Sequence, residues 1–428
     1  MVSSKKQTNN LHLHKVTGCI DDSFVGIKIK NNRIDFYYPE AYNLANEKDI
    51  NTFRRDFLSI INTISIAKTL SEDRAKIETT LSGEDSFAMH SYLWIIKDFL
   101  LNGFYVNREK ILKRNQRGRI NWKRTIQTQP IVSKGNIIYT DIIVEVPNQT
   151  DNIIVEIHKY CVKKSIEIVG WLFGLTPNLV ENNGFNNSKK KQYVAILQTE
   201  ISVTFDDKKK ERLNHMLKVI QGVNGATDSD EFVYGVDSYY YIFERMIDHI
   251  FGNVENISDF NPRSNWYLKQ NRFEKTPSSE LRPDTILLDK ESKTAYILDS
   301  KYYRFGITGV SSDLPESTSI QKQITYGEYV QQNHSHEQIE NIRSAFILPY
   351  NKKSNKWGFN NNLEYIGFSK ADWKDNQETH QLIYAFLIDL KHVITTWNLT
   401  SSHIDDIDIL TTLIENAVIE SQQIPKND

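Results

Sequence analysis

Cysteine is scarce: Cys19 and Cys161 are the only two in 428 residues. That number excludes a disulfide framework and any four-cysteine zinc or iron–sulfur centre. Apolar runs are short. None approaches the roughly 18 residues that would suggest a membrane span, and nothing at the N-terminus resembles a signal peptide. The expectation is a cytoplasmic protein without membrane contact. Neither sign of charge is in excess, with Lys+Arg 52 against Asp+Glu 54 and a net charge of −2. Attraction to a polyanion therefore has to come from a local patch. A G-x-x-x-x-G-K-[ST] loop is also missing, so no nucleotide is expected on this chain.

What is present reads as a folded protein: 39% of the residues are hydrophobic and 25% charged. The length predicts two or three domains. After a polar start, "SFVGIKIKNNRIDFYYP" predicts a hairpin over about 24–38, turning at Asn31-Asn32, a pair that tolerates positive φ. Phe53, Phe57, Ile60, Ile61 and Ile64 form a helical stripe within 46–70, and a second helix follows at 86–102. Residues 136–146 read as a strand and the segment after them as a largely buried helix. Residues 180–192 are rich in Asn, Gly and Lys and read as a loop; a helix follows at 207–222. The Gly- and acid-bearing "GVNGATDSDE" then marks a boundary between domains 1–228 and 229–428.

Residues 107–125 carry eight Lys or Arg against one Glu. Arg114, Arg117, Arg119, Lys123 and Arg124 are candidates for contact with nucleic acid or an acidic partner, with Trp122 available to stack. The bland alternative is a solvated helix end whose tryptophan enters the local core. His158 with Cys161, His12 with His14 and Cys19, and His334 with His336 lack a complete ligand set, so packed or solvated histidines are the expectation.

The second half concentrates the chemistry. "VDSYYYIFERMIDHIFGN" predicts a helix with Asp237 or Ser238 as N-cap and Gly252 at C′. Glu244 falls about 100° from Phe243, at the margin of the buried stripe, where it can face a cleft. In "LRPDTILLDKESKTAYILDSKYY" two apolar runs flank a polar turn. Pairing 285–288 with 295–298 brings Asp284 across from Asp299, with Lys301 on the same strand face as Asp299. Two acids and a lysine crowded at strand ends suit Mg²⁺, which takes one or two protein carboxylates and keeps waters. A plain surface ion pair is the alternative, worth about 0–1 kcal/mol. Downstream, Gln323 and Tyr326 share a helix face, either to support the acidic site or DNA, or as ordinary surface polar residues. A central mixed sheet flanked by helices accounts for the whole half.

These residues resemble the PD-(D/E)XK nucleases, with Pro283-Asp284 as the PD and Asp299-Ser300-Lys301 as the D-x-K. Glu244 matches the glutamate that many of them carry on a preceding helix. Gln323 and Tyr326 stand one residue closer than the Q-x-x-x-Y of the RecB-like branch. More narrowly, "DDSFVGIKIKNNRIDFYYPEAYNL", "RGRINWKRTI", "VEIHKYCVKKSIEIVGWLFG" and "LRPDTILLDKESKTAYILDSKYYRFG" resemble LlaJI-family restriction endonucleases, which are similar to McrC nuclease subunits. The resemblance implies an α/β fold with an α+β N-terminal region and a restriction-endonuclease-like core. It implies Asp284, Asp299 and Lys301 as catalytic residues, and Glu244, Asp284 and Asp299 as ligands of Mg²⁺, for which Mn²⁺ can substitute. It further implies double-stranded DNA as substrate and an AAA+ NTPase partner like McrB, docked on the N-terminal half. The competing readings are an autonomous, sequence-reading restriction enzyme and a non-enzymatic DNA-binding adaptor.

Overall fold

The computed structural model describes residues 11–18, 22–30, 33–46, 49–69, 86–105, 110–134, 136–147, 149–175, 186–222, 231–333, 339–375, 378–399 and 404–423. Cys19, the Asn31-Asn32 turn, residues 180–185, the Gly-rich stretch 223–230, His334 and His336 lie outside them. The chain divides into two compact units. One holds Ser82–Val233 with Met1–Asn10 and Ile29–Asn32; the other holds Leu11–Lys28, Arg33–Leu81 and Tyr234–Asp428. One cut falls at 233/234, against the boundary at 228/229 expected from the sequence. Most of residues 11–69 group with the C-terminal half and not with residues 82–233, a long-range grouping that no local pattern reveals.

The second unit begins with strands β1 (Leu11–Val16), β2 (Val25–Lys30) and β3 (Arg33–Pro39), then helix α1 (Ile50–Thr69). Strand β4 (Glu231–Val236) completes a sheet of order β1-β3-β2-β4, in which β1 and β3 run parallel. Helix α2 (Tyr239–Phe251) follows. Gly252 ends it in extended backbone, φ −72° and ψ 138°, and not in the left-handed C′ conformation expected. Glycine is required there by close approach: a Cβ would sit 2.6 Å from the Asp248 carbonyl oxygen.

A ribbon of β5 (Arg263–Tyr267) and β6 (Lys275–Glu280), which no sequence pattern had announced, precedes the main sheet. That sheet contains β7 (Thr285–Asp289), β8 (Thr294–Ser300), β9 (Asn341–Tyr350), β10 (Leu363–Lys370) and β11 (Leu382–Asp389), in the order β7-β8-β9-β11-β10. β8, β9 and β11 are parallel, and β7 and β10 are antiparallel at the edges. Helix α3 (Ser317–Asn333) crosses between β8 and β9, while α4 (Leu390–Asn398) and α5 (Ile404–Gln423) follow β11. β8 is buried along its whole length, as a strand covered on both faces must be. Ala295 and Ile297 pack with Tyr326 and Val330 of α3. The alternate residue Tyr296 donates its hydroxyl to Glu415 of α5 at 3.2 Å.

The first unit holds helices Ser86–Asn102, Gln149–Val169, Lys190–Val203 and Asp207–Gly222. Lys190–Val203 was not expected; its opening turn is lysine-rich and conceals the apolar positions Tyr193 and Leu197. The span 136–146, read as one strand, is broken into Asn136–Ile138 and Ile143–Pro147. Residues 110–125 form strands Lys110–Arg114 and Arg119–Ile120, which flank Ile143–Pro147 in a three-stranded sheet, followed by a one-turn helix Trp122–Thr125. His158 and Cys161 are core residues, as expected. His158 Nδ1 accepts the Tyr105 N–H at 3.0 Å, and burial holds its pKa down to about 4.

Within the second unit, α1 is tied to α4 by an ion pair. Lys391 Nζ lies 2.7 Å from Asp56 Oδ2, and the same oxygen accepts the Ala45 N–H at 2.8 Å. Asp56 is only 4% exposed. Asp56→Ala is expected to lower unfolding stability by roughly 1.5–3 kcal/mol, read from the urea midpoint. A fragment starting at Asp230 loses β1–β3 and α1 and is expected to melt without a cooperative transition. A cooperative melt of that fragment, or an unmoved midpoint in Asp56→Ala, contradicts this packing.

Candidate active site

The site is built by strand register. Thr285 pairs with Leu298, Ile286 with Ile297, Leu287 with Tyr296 and Leu288 with Ala295, the pairing expected from the apolar runs. One step further, Asp284 stands against the end of β8. Its Oδ2 accepts the Ser300 N–H at 2.9 Å, which continues the ladder through a side chain and fixes the carboxylate beside Asp299. Lys301 Nζ lies 2.6 Å from Asp299 Oδ2, and the two side chains are 21% and 9% exposed. The pair is therefore not the plain surface ion pair that was the alternative.

Burial raises the Asp284 pKa well above the ordinary carboxylate range, and the charges of Asp299 and Glu244 raise it further; Lys301 and the Ser300 N–H only partly offset them. Burial favours a neutral Lys301, but Asp299, then Asp284 and Glu244, outweigh it and hold the lysine pKa above its ordinary value. Lys301 is thus a fixed cation among three acids. Glu244 and Asp284 line the same cleft of about 500 Å³. Its other walls include Arg245, Asp248, Asn261, Glu280 and Arg282, none of which a motif had singled out.

Gln323 and Tyr326 are not surface residues. Gln323 is fully buried, and both polar atoms of its amide lack a hydrogen-bond partner among the described residues. Tyr326 donates its hydroxyl to the Arg282 carbonyl at 2.9 Å, bracing the turn that carries Pro283 and Asp284. Burial and then the Asp299 and Asp284 charges push the Tyr326 pKa up, so the hydroxyl keeps its proton. Gly327 lets α3 pass close to His380, where a Cβ would meet that side chain at 2.6 Å.

Among the described residues, no group of three or more His, Cys, Asp or Glu converges to hold a metal ion. Asp284 feels the charges of both Asp299 and Glu244, but Asp299 is turned to Lys301 instead of closing a three-acid set. The donor chemistry nevertheless suits a hard cation: two carboxylates in mutual repulsion, one with a raised pKa, are a pair that Mg²⁺ would relieve while keeping its own waters.

The five basic candidates belong to the first unit. Arg114, Arg117, Arg119, Lys123 and Arg124 are all exposed; Arg114 reaches Asp141 only at 3.7 Å. Trp122 is 60% exposed, so it does not enter the local core. Ile131, Val132, Ile137 and Ile138 of the neighbouring two-stranded ribbon are exposed as well.

Fold and cluster define a class: an α/β protein with two acids and a lysine at the carboxyl end of a buried strand in a mixed sheet. Within that class, the chain belongs to the LlaJI restriction endonuclease family, which matches residues 24–391. It is also similar to a solved structure described as a refined half-complex from a tetradecameric assembly of Thermococcus gammatolerans McrB AAA+ hexamers with bound McrC. The identity is 13%, the TM-score 0.40, and the match covers 88% of this chain and 81% of that one. No curated protein matches the chain.

The raised Asp284 pKa has a consequence for stability. The folded state binds this proton more tightly than the unfolded chain does. Its contribution is therefore full at low pH and is lost as pH rises through the ordinary carboxylate range and up to the raised value. Asp284→Asn keeps an acceptor for the Ser300 N–H and removes the charge. Without divalent ions it is expected to melt above wild type at pH 7–8, with the gap closing near about pH 4. Equal melting temperatures across that range would contradict the charge cluster.

Proposed function

We propose that this chain is the nuclease subunit of a restriction system and hydrolyses DNA phosphodiester bonds with Mg²⁺, on a core of the PD-(D/E)XK type. The observation that carries the reading is the cluster of Asp284, Asp299 and Lys301 beside an acid-lined cleft, in a chain of a restriction endonuclease family. Asp284 and Asp299 would hold the metal, with Glu244 contributing from α2; Mn²⁺ can take its place. The bound ion would supply charge neutralisation at the phosphate and acidify a water. The protein's own residues do the rest. Lys301, held cationic by its neighbours, stabilises negative charge at the scissile phosphate and orients water, a role its raised pKa favours over proton abstraction. Tyr326 and the Ser300 N–H hold Asp284 in place. The buried Gln323 amide, without a hydrogen-bond partner among the described residues, would be available to hydrogen-bond the metal-site carboxylates.

Alanine at Asp284, Asp299 or Lys301 is expected to reduce plasmid cleavage in Mg²⁺ by at least about a hundredfold. Glu244→Ala should slow it less and raise the Mg²⁺ concentration needed for half-maximal rate. Purified Asp299→Ala protein that still cuts at the wild-type rate would sink the assignment.

A separate AAA+ NTPase subunit like McrB is part of the same proposal, since the sequence holds no phosphate-binding loop. The exposed cations at Arg114, Arg117, Arg119, Lys123 and Arg124 are proposed to meet DNA or an acidic face of that subunit. Replacing them with Gln should lower the slope of log affinity against log salt by about one unit per lost phosphate contact, or else abolish partner assembly. Binding and pull-down measurements that are both unchanged would return these residues to plain solvent exposure.

A further inference from the structure

The β5–β6 ribbon rises directly from the cleft. At its root, Asn261 Nδ2 donates to Glu280 Oε1 at 3.0 Å and Arg263 Nε to Glu280 Oε2 at 2.9 Å. Asn261 and Glu280 are themselves cleft walls, together with Arg282, Pro283 and Asp284. Beyond the root every residue of β5 is exposed. Trp266, Tyr267 and Phe273 are 61%, 58% and 62% exposed, a concentration of aromatic surface that a small ribbon does not carry for its own stability. Because side chains alternate, Trp266 and Tyr267 project to opposite faces. The connection is ordered: the Phe273 N–H donates to the Leu268 carbonyl at 3.0 Å. Arg272 and Phe273 hold left-handed φ of 53° and 63°, which non-glycine residues adopt at a cost.

Charge selects the occupant. Lys269, Arg272 and Lys275 are exposed, and none forms an ion pair among the described residues; of the ribbon's two acids, Glu280 is taken at the root by Arg263 and the exposed Glu274 leaves the three cations in excess. A two-stranded ribbon is also a shape that the major groove of B-DNA admits. We infer that β5–β6 is a DNA-holding element. It lies in a groove of the duplex flanking the scissile phosphate, with Lys269, Arg272 and Lys275 on phosphates and Trp266, Tyr267 and Phe273 against bases and sugars. The inference rests on the nuclease reading of the cleft, since continuity with that cleft places the duplex here.

The test uses the full chain and a labelled duplex, with Ca²⁺ in place of Mg²⁺ so that binding is read without cleavage. The Lys269→Gln, Arg272→Gln, Lys275→Gln variant should lower the salt slope by about 0.9 per lost contact. Trp266→Ala with Phe273→Ala should weaken binding at least about 5-fold. Bromodeoxyuridine duplex should photo-cross-link to residues 263–275. Circular dichroism equal to wild type shows that these surface changes leave the fold intact. Wild-type affinity and slope in both variants, cross-links confined to the first unit, or no duplex binding by the full chain would each overturn the inference. Asp299→Asn separates the two claims: it should lose cleavage while keeping the ribbon cross-links. Normal cleavage by that variant would overturn the catalytic reading alone, and the ribbon would still be judged by its binding and cross-links.

Discussion

Two carboxylates that repel each other, the half-buried Asp284 and the buried Asp299, are held together by a strand register and one lysine. Everything around them serves to keep that arrangement from relaxing. β8 is covered on both faces, so Asp299 cannot turn into solvent without unpacking Ala295 and Ile297 from α3. Asp284 is fixed by a main-chain N–H, and the turn that carries it is fixed by Tyr326. The cluster is costly to the protein by itself, and the proposed divalent cation would relieve that cost, the usual trade of stability for function at an active site.

The support reaches further than the sheet. Tyr302, immediately after Lys301, packs edge-on against Phe243 and Tyr239 of α2, at 5.5 and 6.0 Å between ring centres. Gly18 gives that ring room: its φ is +81° and a Cβ would sit 3.0 Å from the Tyr302 ring. The strands and helix before residue 70 are therefore a buttress of the site and belong to its unit. α1 completes the buttress through Asp56 and Lys391.

Local pattern made much of this legible. The runs TILLD and TAYILD have one pairing that buries both, so the register followed, and with it the meeting of Asp284, Asp299 and Lys301. The stripe from Phe53 to Ile64 likewise matches a helix. What stayed hidden was non-local or unpatterned. No periodicity says that residues 11–81 mostly join residues 234–428. The β5–β6 ribbon has no buried face in β5, so it lacks the alternation that announces a strand. Lys190–Val203 opens on lysines, and Trp122 looks like a core residue until the strands around it leave it exposed. The burial of Gln323 and Tyr326 depends on α3 crossing the sheet, which spacing along the helix does not encode.

In the proposed reaction Asp284, protonated more readily than an ordinary aspartate, would give up that proton to become a metal ligand. Calorimetric titration of Mg²⁺ near neutral pH, repeated in buffers of different ionisation enthalpy, measures the protons released on binding. Net proton release is expected from the wild-type chain and none from Asp284→Asn. Mg²⁺ binding without proton release, or the same release from Asp284→Asn, would contradict it.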